Sequence, residues 1–186
     1  MKLTHTNIQT TFATLAFVVS IMATWFAWQQ VVVSQTHNKL SVLPILQITP
    51  YLEGENGRNG LYISNDGLGP ATIKSFSVKS NGATASGFEA DRWAEVLSAT
   101  NLDPNCFATA WPKREATLKA GDSSPLLYVA DVANKKTCLL EMVRLIGGNP
   151  IYIAIDYESI YKEKRHLSAD SKIFSKTLDS LYQKLN

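Results

Sequence analysis

Charge is missing from a long stretch at the start of the chain. No Lys, Arg, Asp or Glu occurs from Leu3 to Asn38, although the 186 residues include 18 basic and 16 acidic side chains. The centre of this stretch, residues 12–27, is almost wholly apolar, and the best span runs from about Ile8 to Val33. A helix needs about 20 apolar residues to cross a bilayer. We therefore predict a transmembrane anchor helix and stalk over residues 1–36.

A cleaved secretory signal is the alternative interpretation of this stretch. The apolar region of a signal has about 7–15 residues and ends at a small-residue cleavage site. Here the run is longer, and the sequence 32–34, Val-Val-Ser, is a poor cleavage site, which favours a retained signal-anchor. Lys2 and Lys39 lie on opposite sides of it, so the positive-inside rule gives no clear orientation.

Cysteine is scarce, and both cysteines follow the anchor. A pair of Cys106 and Cys138 suits one disulfide in an oxidising compartment, although two unrelated buried thiols would give the same count. A short N-terminus before a signal-anchor also leaves the large domain outside. We predict a single-pass protein of the inner (cytoplasmic) membrane with an extracytoplasmic domain over residues 37–186.

The residue groups that usually carry chemistry are also missing. The histidines, His5, His37 and His166, are far apart, and neither cysteine belongs to a C-x-x-C pair, so we predict no metal and no cofactor. No G-x-S-x-G motif and no basic stripe occur, which argues against a serine hydrolase and against nucleic acid as a partner. We predict that the protein is not an enzyme. The less favoured alternative, a membrane-bound hydrolase, needs a cleft that joins His166 to a nucleophile.

Beyond the anchor, short β-branched and aromatic runs alternate with turn signals. The clearest strand is 151–157, where Ile151, Ile153, Ile155 and Tyr157 share one face. The other predicted strands lie at 45–52, 61–64, 71–79 (where Lys74 breaks the alternation), 116–120, 126–132 and 165–169. Helices are predicted at 88–99 and 136–146, with loops at 81–87 and 101–112. This pattern predicts a mainly β fold, a β-sandwich with two inserted helices; a small α+β sheet is the alternative.

A dense turn separates two of these strands. Asn65, Gly67, Gly69 and Pro70 form it, and we expect the glycines to supply backbone freedom. A phosphate-binding loop would need a P-loop lysine and a following helix. Here a β-branched run follows Pro70, so we predict a structural turn.

The end of the chain shows helical spacing. Phe174, Leu178, Leu181 and Leu185 form an apolar stripe that predicts an amphipathic C-terminal helix. The stripe needs a cover, which could be its own domain, the helix of a partner or the membrane surface.

Three blocks, residues 37–44 (HNKLSVLP), 61–73 (LYISNDGLGPATI) and 155–161 (IDYESIY), carry a resemblance. Together they resemble a group of small uncharacterised bacterial proteins that have an N-terminal membrane helix and an immunoglobulin-like β-sandwich. The resemblance implies that fold and a bacterial source. It implies no activity and no site, because fold alone does not define function.

These observations predict a non-catalytic interaction module that is held near the lipid bilayer and binds a protein partner. The alternative is a domain that binds a small extracytoplasmic ligand. In that case Trp93, Phe107, Trp111 and Tyr128 would line an apolar pocket.

Overall fold

The computed structural model of the protein describes residues 3–54, 57–88, 91–130, 134–148 and 151–170. The predicted C-terminal helix with Phe174, Leu178, Leu181 and Leu185 lies outside the described residues. The chain divides into two compact units, Met1–Ser41 and Val42–Asn186. We call the second unit the β domain.

The first unit is a single helix, α1 (Leu3–Ser41, 39 residues). Its stretch Ile8–Ser41 is long and apolar enough to cross a membrane, and its large apolar side chains are exposed. Hydroxyls within it are satisfied locally: Thr24 Oγ1, for example, donates to the carbonyl of Ser20 at 2.9 Å. The helix continues five residues past the predicted limit of residue 36. The helix ends shortly before Leu43. Pro44 disfavours a helical conformation of Leu43, because a proline clashes with the residue before it in that conformation.

The β domain contains two antiparallel sheets. One has the strand order β1-β2-β7-β5, and the other has the order β4-β3-β8-β9 with β6 also paired to β3. The strands are β1 (Leu46–Leu52), β2 (Asn59–Asn65), β3 (Ala71–Ser80), β4 (Ala83–Ser86), β5 (Phe107–Thr109), β6 (Thr117–Leu118), β7 (Ser123–Val129), β8 (Ile151–Glu158) and β9 (Lys164–Asp170). Two helices, α2 (Trp93–Ser98) and α3 (Lys135–Gly148), and a 3-10 turn (Pro104–Cys106) complete the described elements.

Side chains from both sheets form one hydrophobic core. In β8 the predicted alternation is present: residues 151, 153, 155 and 157 are buried, and Tyr152 and Asp156 are exposed. Three aromatic rings pack edge to face within the domain, with ring centroids 4.6 Å apart for Phe76 and Trp111 and 6.0 Å apart for Trp93 and Trp111. Such packing adds to the burial of large apolar rings.

A disulfide joins Cys106, at the end of the 3-10 turn, to Cys138 in α3. The two residues are 32 positions apart. The bond therefore ties α3, which buries Cys138, Met142 and Leu145 on one face, to the strand β5 that follows Cys106.

Helix and strand content are roughly equal over the described residues, because α1 alone contributes 39 residues. The α+β alternative is therefore compatible with the structure, and the mainly β class is not confirmed. Two short strands, β4 and β5, lie in segments that the sequence predicts as loops. The helix predicted at 88–99 is shorter, since α2 begins at Trp93, whose N–H donates to the Asp91 carboxylate at 2.9 Å.

Candidate functional site

The outward-facing side chains of β3, β8 and β9 form a polar surface that we call the outer face. Pairing between the strands arranges these side chains in rows, and one row contains Ser75, Asp156 and His166. The register of β3 against β8 shifts between Ile73 and Ser75, and as a result both Lys74 and Ser75 face away from the core. The outer face comprises Thr72, Lys74, Ser75, Ser77, Lys79, Tyr152, Ala154, Asp156, Glu158, Lys164, His166, Ser168 and Asp170.

In this row the carboxylate lies between the other two groups. Ser75 Oγ donates to Asp156 Oδ2 at 2.5 Å, and His166 Nδ1 lies 2.7 Å from Asp156 Oδ1. A serine nucleophile needs its hydroxyl bonded to the histidine ring, with the carboxylate behind the ring. Within the described part of the chain, no hydrogen bond joins Ser75 to His166. The row therefore holds a carboxylate in place and does not activate its serine.

Hydrogen bonding also sets the charge of this row. The Ser75 hydroxyl, and after it the His166 ring, lower the pKa of Asp156 below its ordinary value, because both groups stabilise the ionised carboxylate. Beside the row, Lys74 Nζ lies 2.6 Å from Glu115 and 3.4 Å from Glu158. Glu115 is the main cause of a raised pKa of Lys74. The charges at this end of the outer face thus compensate one another.

A groove of about 500 Å³ runs over these groups, lined among others by Lys74, Asp156, Lys164 and His166. Further along the strands the outer face carries smaller side chains. One row is Ser77, Ala154 and Ser168, and the next is Lys79, Tyr152 and Asp170. The surface is therefore polar, with one exposed tyrosine, Tyr152. A polar, charged composition is that of the rim of a protein interface, and tyrosine is a residue type that interfaces favour.

The four aromatic residues predicted to line a ligand pocket do not share one. Trp93 and Phe107 are buried in the core, and Tyr128 is partly exposed. Trp111 lines a cavity of about 190 Å³, together with Ile73 and other residues. Ligand pockets usually measure about 300–1,000 Å³, so this cavity is small for a ligand site.

The turn after β2 is organised by one buried side chain. Asn65 Oδ1 accepts from the N–H groups of Ile45 (3.2 Å) and Gly67 (3.1 Å), and Nδ2 donates to the carbonyls of Gly69 (2.8 Å) and Leu118 (3.0 Å). The side chain thus uses both lone pairs and both N–H groups of its amide.

The glycines of this turn have a different role from the one expected. Neither Gly67 nor Gly69 has a positive φ, so the expected need for backbone freedom is wrong. A Cβ on Gly67 would overlap the carbonyl oxygen of Leu43, and one on Gly69 would overlap that of Val42. Close approach of the backbone therefore requires glycine at both positions. Pro70 leads from the turn into β3, and no helix follows it as a phosphate loop would need.

Sequence reasoning did not identify the row of Ser75, Asp156 and His166. The available signal was Lys74, which breaks the alternation of β3 where the register shifts. Comparison with protein families, with curated proteins and with solved structures finds no match to this chain. Any assignment of function therefore depends on the sequence and on the geometry described above.

Proposed function

We propose that this chain is a single-pass membrane protein whose β domain is a non-catalytic interaction module, held near the bilayer on the extracytoplasmic side. The observation that carries the proposal is α1, whose stretch Ile8–Ser41 is long and apolar enough to cross a membrane and is uncovered, and which is followed directly by a folded domain. An uncovered apolar helix of this length is unfavourable in water and favourable in hydrocarbon. The resemblance to bacterial proteins supports an inner-membrane location.

The strand order supports an immunoglobulin-like sandwich for the β domain. In that fold one sheet has the order A-B-E-D and the other contains C, F and G. When the strands other than β4 and β6 are lettered A to G along the chain, the order β1-β2-β7-β5 becomes A-B-E-D and the order β3-β8-β9 becomes C-F-G. In this lettering β4 is an extra strand beside C, and β6 is an insertion. Domains of this architecture serve many functions, so the fold supports a scaffold and not an activity.

The disulfide supports the side of the membrane. Disulfides persist in oxidising compartments and are rare in the cytosol, and Cys106 and Cys138 are bonded in this structure. An extracytoplasmic domain is the location that accounts for this bond.

The outer face supports protein binding over catalysis and over small-ligand binding. Its serine donates to a carboxylate and not to a histidine. Its groove of about 500 Å³ is lined mostly by charged and polar residues, whereas small-molecule pockets are lined mostly by apolar ones. By contrast, the outer face extends over three strands and ends in an exposed tyrosine, Tyr152. Tyrosine is enriched in protein interfaces.

Extraction and protease protection test the anchor and its orientation. Alkaline carbonate should leave the full chain in the membrane, because a spanning helix is not held by charge. Protease added to sealed vesicles with the extracytoplasmic side outward should remove the β domain. A chain that carbonate releases, or a domain that is digested only after the vesicles are opened, would contradict the proposal.

Photo-crosslinking tests the interaction. A photoreactive phenylalanine analogue replaces Ser77 or Tyr152 on the outer face of the full chain in native membranes. Gln47, exposed on β1 of the other sheet, is the matched control position. We expect a discrete crosslinked species from both outer-face positions and none from position 47. Identical patterns at all three positions would refute the outer face as the binding surface.

A further inference from the structure

Two turns of the β domain lie at the end where the chain enters it. The turn after β2 bonds directly to the entering segment: Asp66 N–H donates to the carbonyl of Ile45 at 2.8 Å, and Leu68 N–H donates to that of Leu43 at 3.0 Å. The tip of the β8–β9 hairpin lies at the same end, because Glu158, the last residue of β8, pairs with Thr72 at the beginning of β3.

Both turns expose large apolar side chains. Leu68 is 74% exposed, Ile160 is 64% exposed and Tyr161 is 48% exposed. Single exposed apolar residues are common on protein surfaces. Here three of them lie on two tips at one end of the domain.

The hairpin tip is held in place by the buried residue Ser159. Its hydroxyl accepts from the N–H groups of Tyr161 and Glu163, both at 3.2 Å, and its carbonyl accepts from Lys162 N–H at 2.8 Å. These bonds fix the backbone on both sides of Ile160. The outward position of the apolar side chains is therefore built into the turn.

We infer that Leu68, Ile160 and Tyr161 contact the headgroup layer of the bilayer that α1 spans. The inference rests on the proposed anchor. The stalk from Ser34 to Ser41 has a helical length of only about 12 Å, and each headgroup layer is about 5–8 Å thick. The entry end of the domain consequently lies within reach of the membrane surface. Tyrosine is enriched at this interface, and exposed aliphatic side chains are buried favourably at its boundary with the acyl chains.

Charge at this end predicts which lipids are needed. Lys119, Lys162 and Lys164 are exposed there, as are Asp66 and Asp122, so the exposed charge at this end has only a small positive excess. The proposed contact is made by apolar side chains, and it should therefore form on neutral phosphatidylcholine.

Lipid-attached quenchers test the contact in the full chain. Leu68→Cys and Ile160→Cys, each labelled with an environment-sensitive fluorophore, are reconstituted in phosphatidylcholine vesicles that contain a headgroup-level nitroxide lipid. The native cysteines are bonded and do not react. Thr84→Cys, exposed in the β3–β4 hairpin at the opposite end of β3, is the matched control. We expect at least twofold stronger quenching at positions 68 and 160 than at position 84.

Two further measurements separate the possible failures. Phe17→Cys, labelled in α1, reports insertion of the anchor. If it is quenched by a nitroxide in the acyl region while positions 68 and 160 behave like position 84, the headgroup contact is refuted and the anchor stands. If position 17 is not quenched, the proposed function fails and this inference fails with it. Adding Leu68→Ser to the chain labelled at position 160 should weaken its quenching; unchanged quenching would refute the part of Leu68 in the contact.

Discussion

Replacing Asn65 with alanine should destabilise the β domain by about 3–5 kcal/mol. The side chain is fully buried and makes four hydrogen bonds to the backbone, two of them buried and two part-buried. A buried partner left without a hydrogen bond costs about 1–3 kcal/mol. The part-buried partners can be rehydrated and contribute less. Domains of this kind are stable by about 5–15 kcal/mol, so the variant should lose a large share of its stability.

Urea unfolding of the full chain in detergent micelles measures the effect. Trp93, which is buried in the core, and Trp111, which packs against it, report unfolding by fluorescence, while the tryptophans of α1 contribute a background. With a slope of about 2 kcal/mol per molar urea, the midpoint should fall by about 2 M.

Two further variants test the mechanism. Asn105→Ala removes an exposed amide that bonds only locally, to Asp103 at 3.0 Å, and should change stability by less than about 0.5 kcal/mol. Asn65→Asp keeps the shape but directs an oxygen at the carbonyls of Gly69 and Leu118, so it should be as harmful as alanine at neutral pH. If Asn65→Ala is no worse than Asn105→Ala, the buried amide does not organise this end of the domain.

Two other changes have calculable outcomes. Replacing both Cys106 and Cys138 with alanine should lower the free energy of unfolding by about 3–4 kcal/mol, because the disulfide no longer restricts a loop of 32 residues in the unfolded chain. Mass spectrometry of the non-reduced native protein should show the disulfide. Two free thiols would remove the argument for an extracytoplasmic domain. The lowered pKa of Asp156 contributes stability that is present above its ordinary value of 3.8 and is lost as the pH falls through the lowered pKa. Between pH 7 and pH 3 the free energy of unfolding should therefore fall more for the native chain than for Asp156→Asn. The difference should be less than about 1 kcal/mol, because Asp156 and His166 are exposed. Equal decreases in the two chains would contradict this prediction.

The local sequence alone was sufficient to predict α1, from its lack of charge, and the clearest strand, from its alternation. The absence of charge from Leu3 to Asn38 is a property of the sequence that needs no knowledge of distant contacts. In β8 each buried side chain alternates with an outward one, so a period of two is visible directly. The structure has a helix at the first of these places and a strand at the second.

The short strands could not be predicted because their partners lie elsewhere. The three residues of β5 pair with β7, where Phe107 is opposite Val129, and nothing within residues 107–109 specifies that pairing. The row on the outer face could not be predicted for the same reason. Ser75, Asp156 and His166 become neighbours only through the pairing of three strands and an irregularity beside Lys74. Side-chain pairs across strands depend on register, and one sequence without its partners does not fix register.

The turn after β2 shows how a correct element can be predicted for the wrong reason. Its glycines suggested unusual backbone angles, but the structure needs them because the entering chain lies against the turn. Asn65 completes this contact by bonding Ile45 on the entering chain and Gly69 in the turn. The same side chain that we expect to stabilise this end therefore also fixes Leu68 relative to the segment that leaves α1. A tip that contacts the headgroup layer needs such a link. In a mobile turn, the conformational entropy lost on ordering would offset the free energy gained from the apolar contact.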